Sequence, residues 1–225
     1  MYQVRKLLIR IGIKRDDFCV SFSLYDVPDI EHFVAREKEL ERIHRELKGD
    51  GTRRIVVLHG LGGVGKTQLS IEYAKRHKDN YSAIFWLNIK DENSLKQSFA
   101  RIGRQILREH PESRLSTAHM TGNLDDLVDA VKAWLSLSNN TRWLMIYDNY
   151  DNPKLPNNTD PSAVDIRKYL PESYQGHIII TSRLSQIGMG HTIQIKKLAD
   201  IHDSLDILSN ASGREGLQNG KNRLP

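Results

Sequence analysis

Residues Gly60 to Thr67 read Gly-Leu-Gly-Gly-Val-Gly-Lys-Thr and fit the pattern G-x-x-x-x-G-K-[ST]. The flanks narrow the reading further: Ile55 to Leu58 is an apolar, β-branched run, and Gln68 to His77 has the composition of a helix. A strand, a glycine-rich turn and a helix in that order build a phosphate-binding loop. Glycine takes positive φ at little cost, so successive backbone N–H groups can line a concavity for phosphate oxygens. The helix that follows brings the positive end of its dipole to the same place. In such a loop Lys66 reaches the β- and γ-phosphates and the Thr67 hydroxyl joins the shell of a Mg²⁺ ion. Gly60, Gly62, Gly63, Val64, Gly65, Lys66, Thr67 and Gln68 are therefore the expected phosphate-binding residues.

With 225 residues the chain has room for one α/β domain and an appendage. No apolar run approaches the roughly 20 residues that span a bilayer, so membrane insertion is not expected. The lone cysteine, Cys19, rules out an intrachain disulfide, and the nine histidines are scattered without close pairing. The single cysteine suits a reducing compartment, and a cytoplasmic location is expected. The net charge of +5 is spread among interleaved acids rather than gathered on one face. Aromatic residues, 7% of the chain, are not interleaved with the basic ones. A nucleic-acid partner is therefore not expected.

Residues 1–27 read as an N-terminal extension or linker, in which Val20 to Leu24 alternates weakly enough to add a strand. Leu40, Ile43 and Leu47 share one face of a helix that Gly49 to Gly51 terminate. A strand over Ala83 to Ile89 leads to a helix from Glu92 to Glu109 with a stripe of Leu95, Phe99, Ile102 and Ile106. Its Arg101, Arg104 and Arg108 read as a solvated basic face. Pro111 to Asn123 is a polar loop, and Asn123 caps a helix with Leu127, Val128, Val131 and Trp134 on one side. Further strands are expected at Arg142 to Tyr147, His177 to Ile180 and His191 to Ile195. A short helix should end near Leu170, and another should run from Asp200 to Asn210.

Strands alternating with helices after a phosphate loop predict an α/β, three-layer P-loop NTPase fold: a five-stranded, mainly parallel sheet with helices on both faces. Ligands of such sheets lie beyond the carboxyl ends of the strands. Asp148 ends an apolar strand there and can serve a Mg²⁺ ion opposite Thr67. The strand after it ends in Thr181-Ser182-Arg183, a hydroxyl and a guanidinium able to meet a γ-phosphate.

Four segments in order, Phe33-Val34-Ala35-Arg36-Glu37, the loop Gly60 to Thr67, Leu144 to Asp148 and Ile179 to Arg183, resemble the signature segments of NB-ARC domains. These are STAND-class P-loop ATPases of NLR-type immune and cell-death receptors, and the wording here is similar to the fungal branch. The resemblance spans residues 28–212, the expected nucleotide-binding domain, and leaves 213–225 as a polar tail. It implies a switch that holds ADP at rest and binds ATP in an open state that oligomerises in the full-length protein. It also implies that Val34 and Arg36 serve the adenine end, that Thr67 and Asp148 hold Mg²⁺, and that Arg183 reports the γ-phosphate.

Two departures from the pattern matter. Asn149 stands where many members carry a second acid that serves as base for the attacking water, so at most slow ATP hydrolysis is expected, with Asp151 a possible substitute. The downstream helical and winged-helix subdomains have no counterpart, so a truncated form is expected. Two other function classes fit a bare phosphate loop: a multiple-turnover ATPase or small kinase, and a DNA-associated ATPase.

Overall fold

The computed structural model describes residues 18–23, 33, 36–49, 51–113, 115 and 122–197. Its strands are β1 (Arg54–His59), β2 (Ala83–Asn88), β3 (Trp143–Asp148), β4 (His177–Ser182) and β5 (His191–Gln194). The helices are α1 (Glu37–Leu47), α2 (Lys66–His77), α3 (Glu92–Glu109) and α4 (Leu124–Leu135). A single turn of 3₁₀ helix over Ile166–Tyr169 is the short helix expected before Leu170. The helix expected from Asp200 and the tail lie outside the described residues, as does Val34.

The five strands form one sheet in the order β2-β3-β4-β1-β5. Every pairing is parallel, where the sequence predicts a mainly parallel sheet. The β4 strand thus lies between the phosphate-loop strand and the Asp148 strand. Burial on both faces explains the unbroken apolar strands: β3 is buried along its whole length.

Because side chains alternate across a strand, neighbours in sequence feed opposite cores. Phe85, Met145, Tyr147, Ile178 and Ile180 pack with Leu95, Phe99 and Ile102 of α3 and Val131 and Trp134 of α4. Ile84, Leu144, Ile146 and Ile179 face the other way, onto Leu40 and Ile43 of α1 and Leu69 and Tyr73 of α2. The result is helix, sheet, helix, each layer closing one face of the sheet.

Caps set the helix entries. The Asp91 side chain accepts the Ser94 N–H at 2.7 Å to start α3, and Asn123 accepts the Asp125 N–H at 2.9 Å to start α4. Arg104 and Arg108 are exposed on α3, as a solvated face requires, whereas Arg101 is half-buried and its Nη2 donates to Ser98 Oγ at 2.9 Å. That helix packs against β2, which is separated from β1 by β3 and β4, so the arginine row is remote from the phosphate loop.

Two local readings change. Residues 18–23 carry no strand, although the Val20 N–H donates to the Ser82 carbonyl at 2.8 Å and Val20 is buried in the core under α4. The stretch read as a polar loop contributes Leu115, which is 1% exposed and joins the same core. In both cases one apolar side chain outweighs polar surroundings too short to show a period.

Candidate phosphate-binding site

The loop leaves β1 at His59 and turns at Gly60, where φ is 153° and the N–H donates to the Ser182 carbonyl at 3.3 Å. Any Cβ at Gly60 would collide with the carbonyl oxygen of Ile195, which is backbone and cannot swing aside. Gly63 and Gly65 have φ of 76° and 89°, the left-handed region where an L side chain is strained. Gly65 is also the N-cap of α2, so the loop delivers Lys66 and Thr67 as the first residues of a helix. Lys66 Nζ donates to the carbonyls of Gly60 at 2.8 Å and Leu61 at 2.9 Å, arching over the loop it closes. Val64 packs in the core on the α1 side of the sheet.

The carboxylate of Asp148 gathers three elements. Thr67 Oγ1 donates to Asp148 Oδ1 at 2.9 Å, and Thr181 Oγ1 donates to the same oxygen at 2.6 Å. Asn149 Nδ2 donates to Oδ2 at 3.2 Å. Asn149 itself sits at φ 68°, and its N–H donates to Thr181 Oγ1 at 3.0 Å. Burial pushes the Asp148 carboxyl above its ordinary value, against the hydrogen bonds from Thr181 and Thr67 that favour the ionised form. Burial likewise lowers Lys66, with the nearest opposition coming from the charge of Asp151.

Arg183, at the tip of β4, forms a clamp with Asp151. Its N–H donates to Asp151 Oδ1 at 2.7 Å, and its Nε lies 2.9 Å from Asp151 Oδ2. The guanidinium lies beside Gly62, where an added Cβ would be 3.6 Å from Cζ. A cavity of about 290 Å³ is lined by Gly63, Lys66, Thr67, Gln68, Asn149, Asp151 and Arg183. A second, of about 380 Å³, has Leu61, Ser185, Ile195 and Lys196 in its walls and shares Arg183 with the first.

Arg36 braces the loop from the side. Its φ is 111° and its side chain is 7% exposed. Nη2 donates to the Val64 carbonyl at 2.8 Å and to the Lys196 carbonyl at 3.0 Å.

The structure thus brings together Gly60 to Gln68, Asp148, Asp151, Thr181 and Arg183, with Arg36 adjoining them. Sequence reading took Asp151 and Arg183 singly and missed their pairing, which joins loops following different strands and leaves no local signal. A hydroxyl and a carboxylate 2.9 Å apart are hard oxygen donors, the set a Mg²⁺ ion takes when phosphates and waters complete its shell. Among the described residues no group of three or more His, Cys, Asp or Glu is gathered for a metal. The donor set therefore fits an ion brought with a polyphosphate better than one caged by protein alone. No helix among the described residues is long and apolar enough to cross a membrane.

A family model described as "AAA ATPase domain" matches residues 32–180. A nucleotide-binding leucine-rich repeat (NLR)-like protein from Hyaloscypha variabilis is 28% identical over 162 residues, covering 67% of this chain and 16% of that protein. An uncharacterized WD repeat-containing protein from Nostoc is 26% identical over 132 residues, covering 55% of this chain and 10% of that protein. The chain therefore spans less than one fifth of the length of either relative. Among solved structures, the Aeropyrum pernix ORC2 protein in ADPNP–ADP complexes superposes with a TM-score of 0.50 at 14% identity, over 85% of this chain and 55% of that one. Cdc6p from Pyrobaculum aerophilum gives 0.51 at 16% identity, over 87% and 54%. At these identities the two structures establish a shared fold.

Proposed function

Since the chain belongs to the AAA ATPase domain family, we propose that it is the adenine-nucleotide-binding module of an NB-ARC-type signalling switch, reading ADP against ATP. The observation that carries the proposal is the convergence of Lys66, Thr67, Thr181 and Arg183 on one cavity at the carboxyl end of the sheet, with the Asp148 carboxylate bonded to both threonines behind it. Similarity to an NLR-like protein supports the signalling half of the reading.

In this reading the loop amides and Lys66 bind the phosphates, Thr67 and Asp148 hold Mg²⁺, and Arg183 meets the γ-phosphate. Arg36 fixes the loop against the chain after β5, next to the adenine end. The bound Mg²⁺ would neutralise phosphate charge. Asn149, an amide, takes no proton from water, so the output is a change of shape and assembly, with at most slow ATP hydrolysis. In the longer protein the ATP state is a homo-oligomer in the cytoplasm, and its role is innate-immune or cell-death signalling.

Calorimetry with ADP and with ATP plus Mg²⁺ on wild type and Lys66→Ala tests the proposal. Removing the ammonium leaves buried phosphate charge unpaired, at about 2–5 kcal/mol. Equal affinities in the two proteins would reject the reading. A steady-state phosphate release near or above about 1 per second would favour a turnover enzyme instead.

A further inference from the structure

Asp151 stands at the rim of the phosphate cavity with both carboxylate oxygens committed to Arg183, one to its N–H at 2.7 Å and one to its guanidinium at 2.9 Å. We propose that Asp151 sets the discrimination between nucleoside diphosphate and triphosphate, by holding Arg183 in a pair that a γ-phosphate must break. The inference rests on the nucleotide-binding reading above and adds to it the residue that decides which nucleotide is preferred.

Three observations carry it. First, the guanidinium lies where it could serve a third phosphate: its Cζ, Nε and Nη2 are 3.6–3.8 Å from a Cβ built on Gly62. Second, Nε is the atom that Asp151 engages. A carboxylate on that edge occupies part of the planar donor fork that would otherwise bind phosphate oxygens in pairs. Third, Asp151 lines the cavity itself and adds negative charge there, while Asp148 is buried behind Thr67 and Thr181. It stands in the same lining as Lys66 and Arg183. A diphosphate leaves the pair intact. A triphosphate places a new anion beside Asp151 and must draw the guanidinium from it.

The pair is weak enough to be exchanged. The Arg183 side chain is 68% exposed and that of Asp151 32%, and exposed ion pairs are held only loosely. The bond from the Arg183 N–H to Oδ1 survives the exchange, because it belongs to the backbone, so the loop after β4 stays in place while the guanidinium swings.

The test measures ADP and Mg²⁺–ATP affinities calorimetrically on the full chain for wild type, Asp151→Asn, Arg183→Ala and the double variant. Asp151→Asn keeps an oxygen for the Arg183 N–H and removes the charge. The affinity ratio of ATP to ADP should rise about three- to tenfold in Asp151→Asn. In the Arg183→Ala background the same substitution should shift the ratio less than about twofold, since the pair is already gone. The ratio is read within one preparation, so a misfolded fraction lowers the number of sites without moving it. An unchanged ratio in Asp151→Asn, or an equal rise with and without Arg183, overturns the proposal. So does loss of single-turnover hydrolysis in Asp151→Asn at unaltered ATP affinity, the mark of a base. Failure of wild type to bind either nucleotide would instead reject the nucleotide-binding reading beneath it.

Discussion

Thr67 and Asp148 lie 81 positions apart in sequence, and the hydroxyl of one donates to the carboxylate of the other at 2.9 Å across the carboxyl end of the sheet. The contact ties the first turn of α2 to the tip of β3. The same carboxylate accepts Thr181 from β4, so one buried oxygen pins three elements.

That pairing predicts opposite effects on stability and on binding. Burial holds the Asp148 carboxyl above its ordinary value, so the folded state binds a proton more tightly than the unfolded chain. Between the unfolded and the raised folded pKa the native state carries more protons, and stability falls as pH rises through that window. Asp148→Asn removes the buried charge while leaving an oxygen for both threonines. Its melting temperature without ligand should exceed that of wild type at neutral pH by roughly 2–4 °C, the shift that about 1 kcal/mol gives a domain of this size. Its ATP affinity should lose the dependence on Mg²⁺. Differential scanning calorimetry and titrations with and without the ion check both halves, and a lower melting temperature would show that the charge itself stabilises the fold.

Much of this was legible in the residues. The loop declares itself because glycine geometry and the Lys66–Thr67 pair are local, and Asp148 because an apolar strand must stop at a charge. Buried parallel strands are legible for the same reason: Ile178 to Ile180 has no polar face to offer. Pairings made only by the fold were not. Arg183 with Asp151, Tyr81 with His177 and the burial of Leu115 each join segments that no period or spacing links. Arg36 was legible as part of a motif, but its grip on two carbonyls depends on a strained backbone that sequence does not display.

Arg36 combines strain with anchorage. At φ 111° its backbone suits glycine, yet its side chain holds the Val64 and Lys196 carbonyls. Arg36→Ala loses the charge-assisted bonds and keeps the strain, so it should cost about 2–4 kcal/mol in urea unfolding. Arg36→Gly loses the same bonds and relieves the backbone, and should be more stable than the alanine variant by about 1 kcal/mol. The reverse order would mean that the left-handed conformation is not retained once the side chain is gone.

Gly103 offers room. It lies inside α3, and a Cβ there would meet Leu115, Leu127 and Val131 at 3.6 Å, ordinary van der Waals contact. Glycine costs a helix interior about 1 kcal/mol relative to alanine. Gly103→Ala should therefore raise stability by about 0.5–1 kcal/mol, measured by chemical denaturation, and leave nucleotide affinity unchanged because α3 packs on β2 at the far edge of the sheet. A loss of stability would show that α3 and α4 close too tightly for one methyl.

His177 opens β4 opposite Arg54 of β1, and its Nδ1 lies 2.9 Å from the Tyr81 hydroxyl, which in turn lies 3.2 Å from that of Tyr73. Burial, with the charges of Arg54 and His44, lowers its pKa to about 4. The unfolded chain binds this proton near pH 6.5. Between those values the unfolded state carries more protons than the native one, so stability falls as pH drops from about 6.5 toward 4. The full difference corresponds to about 3 kcal/mol, reduced to roughly 1–2 kcal/mol because the ring is partly exposed and its charge is screened. His177→Gln keeps an acceptor and cannot titrate. Its unfolding free energy should be flatter than that of wild type across this window, while the two agree in slope above pH 7. A wild-type slope retained in His177→Gln would place the acid sensitivity elsewhere, with His77, whose pKa burial also lowers, the next group to test.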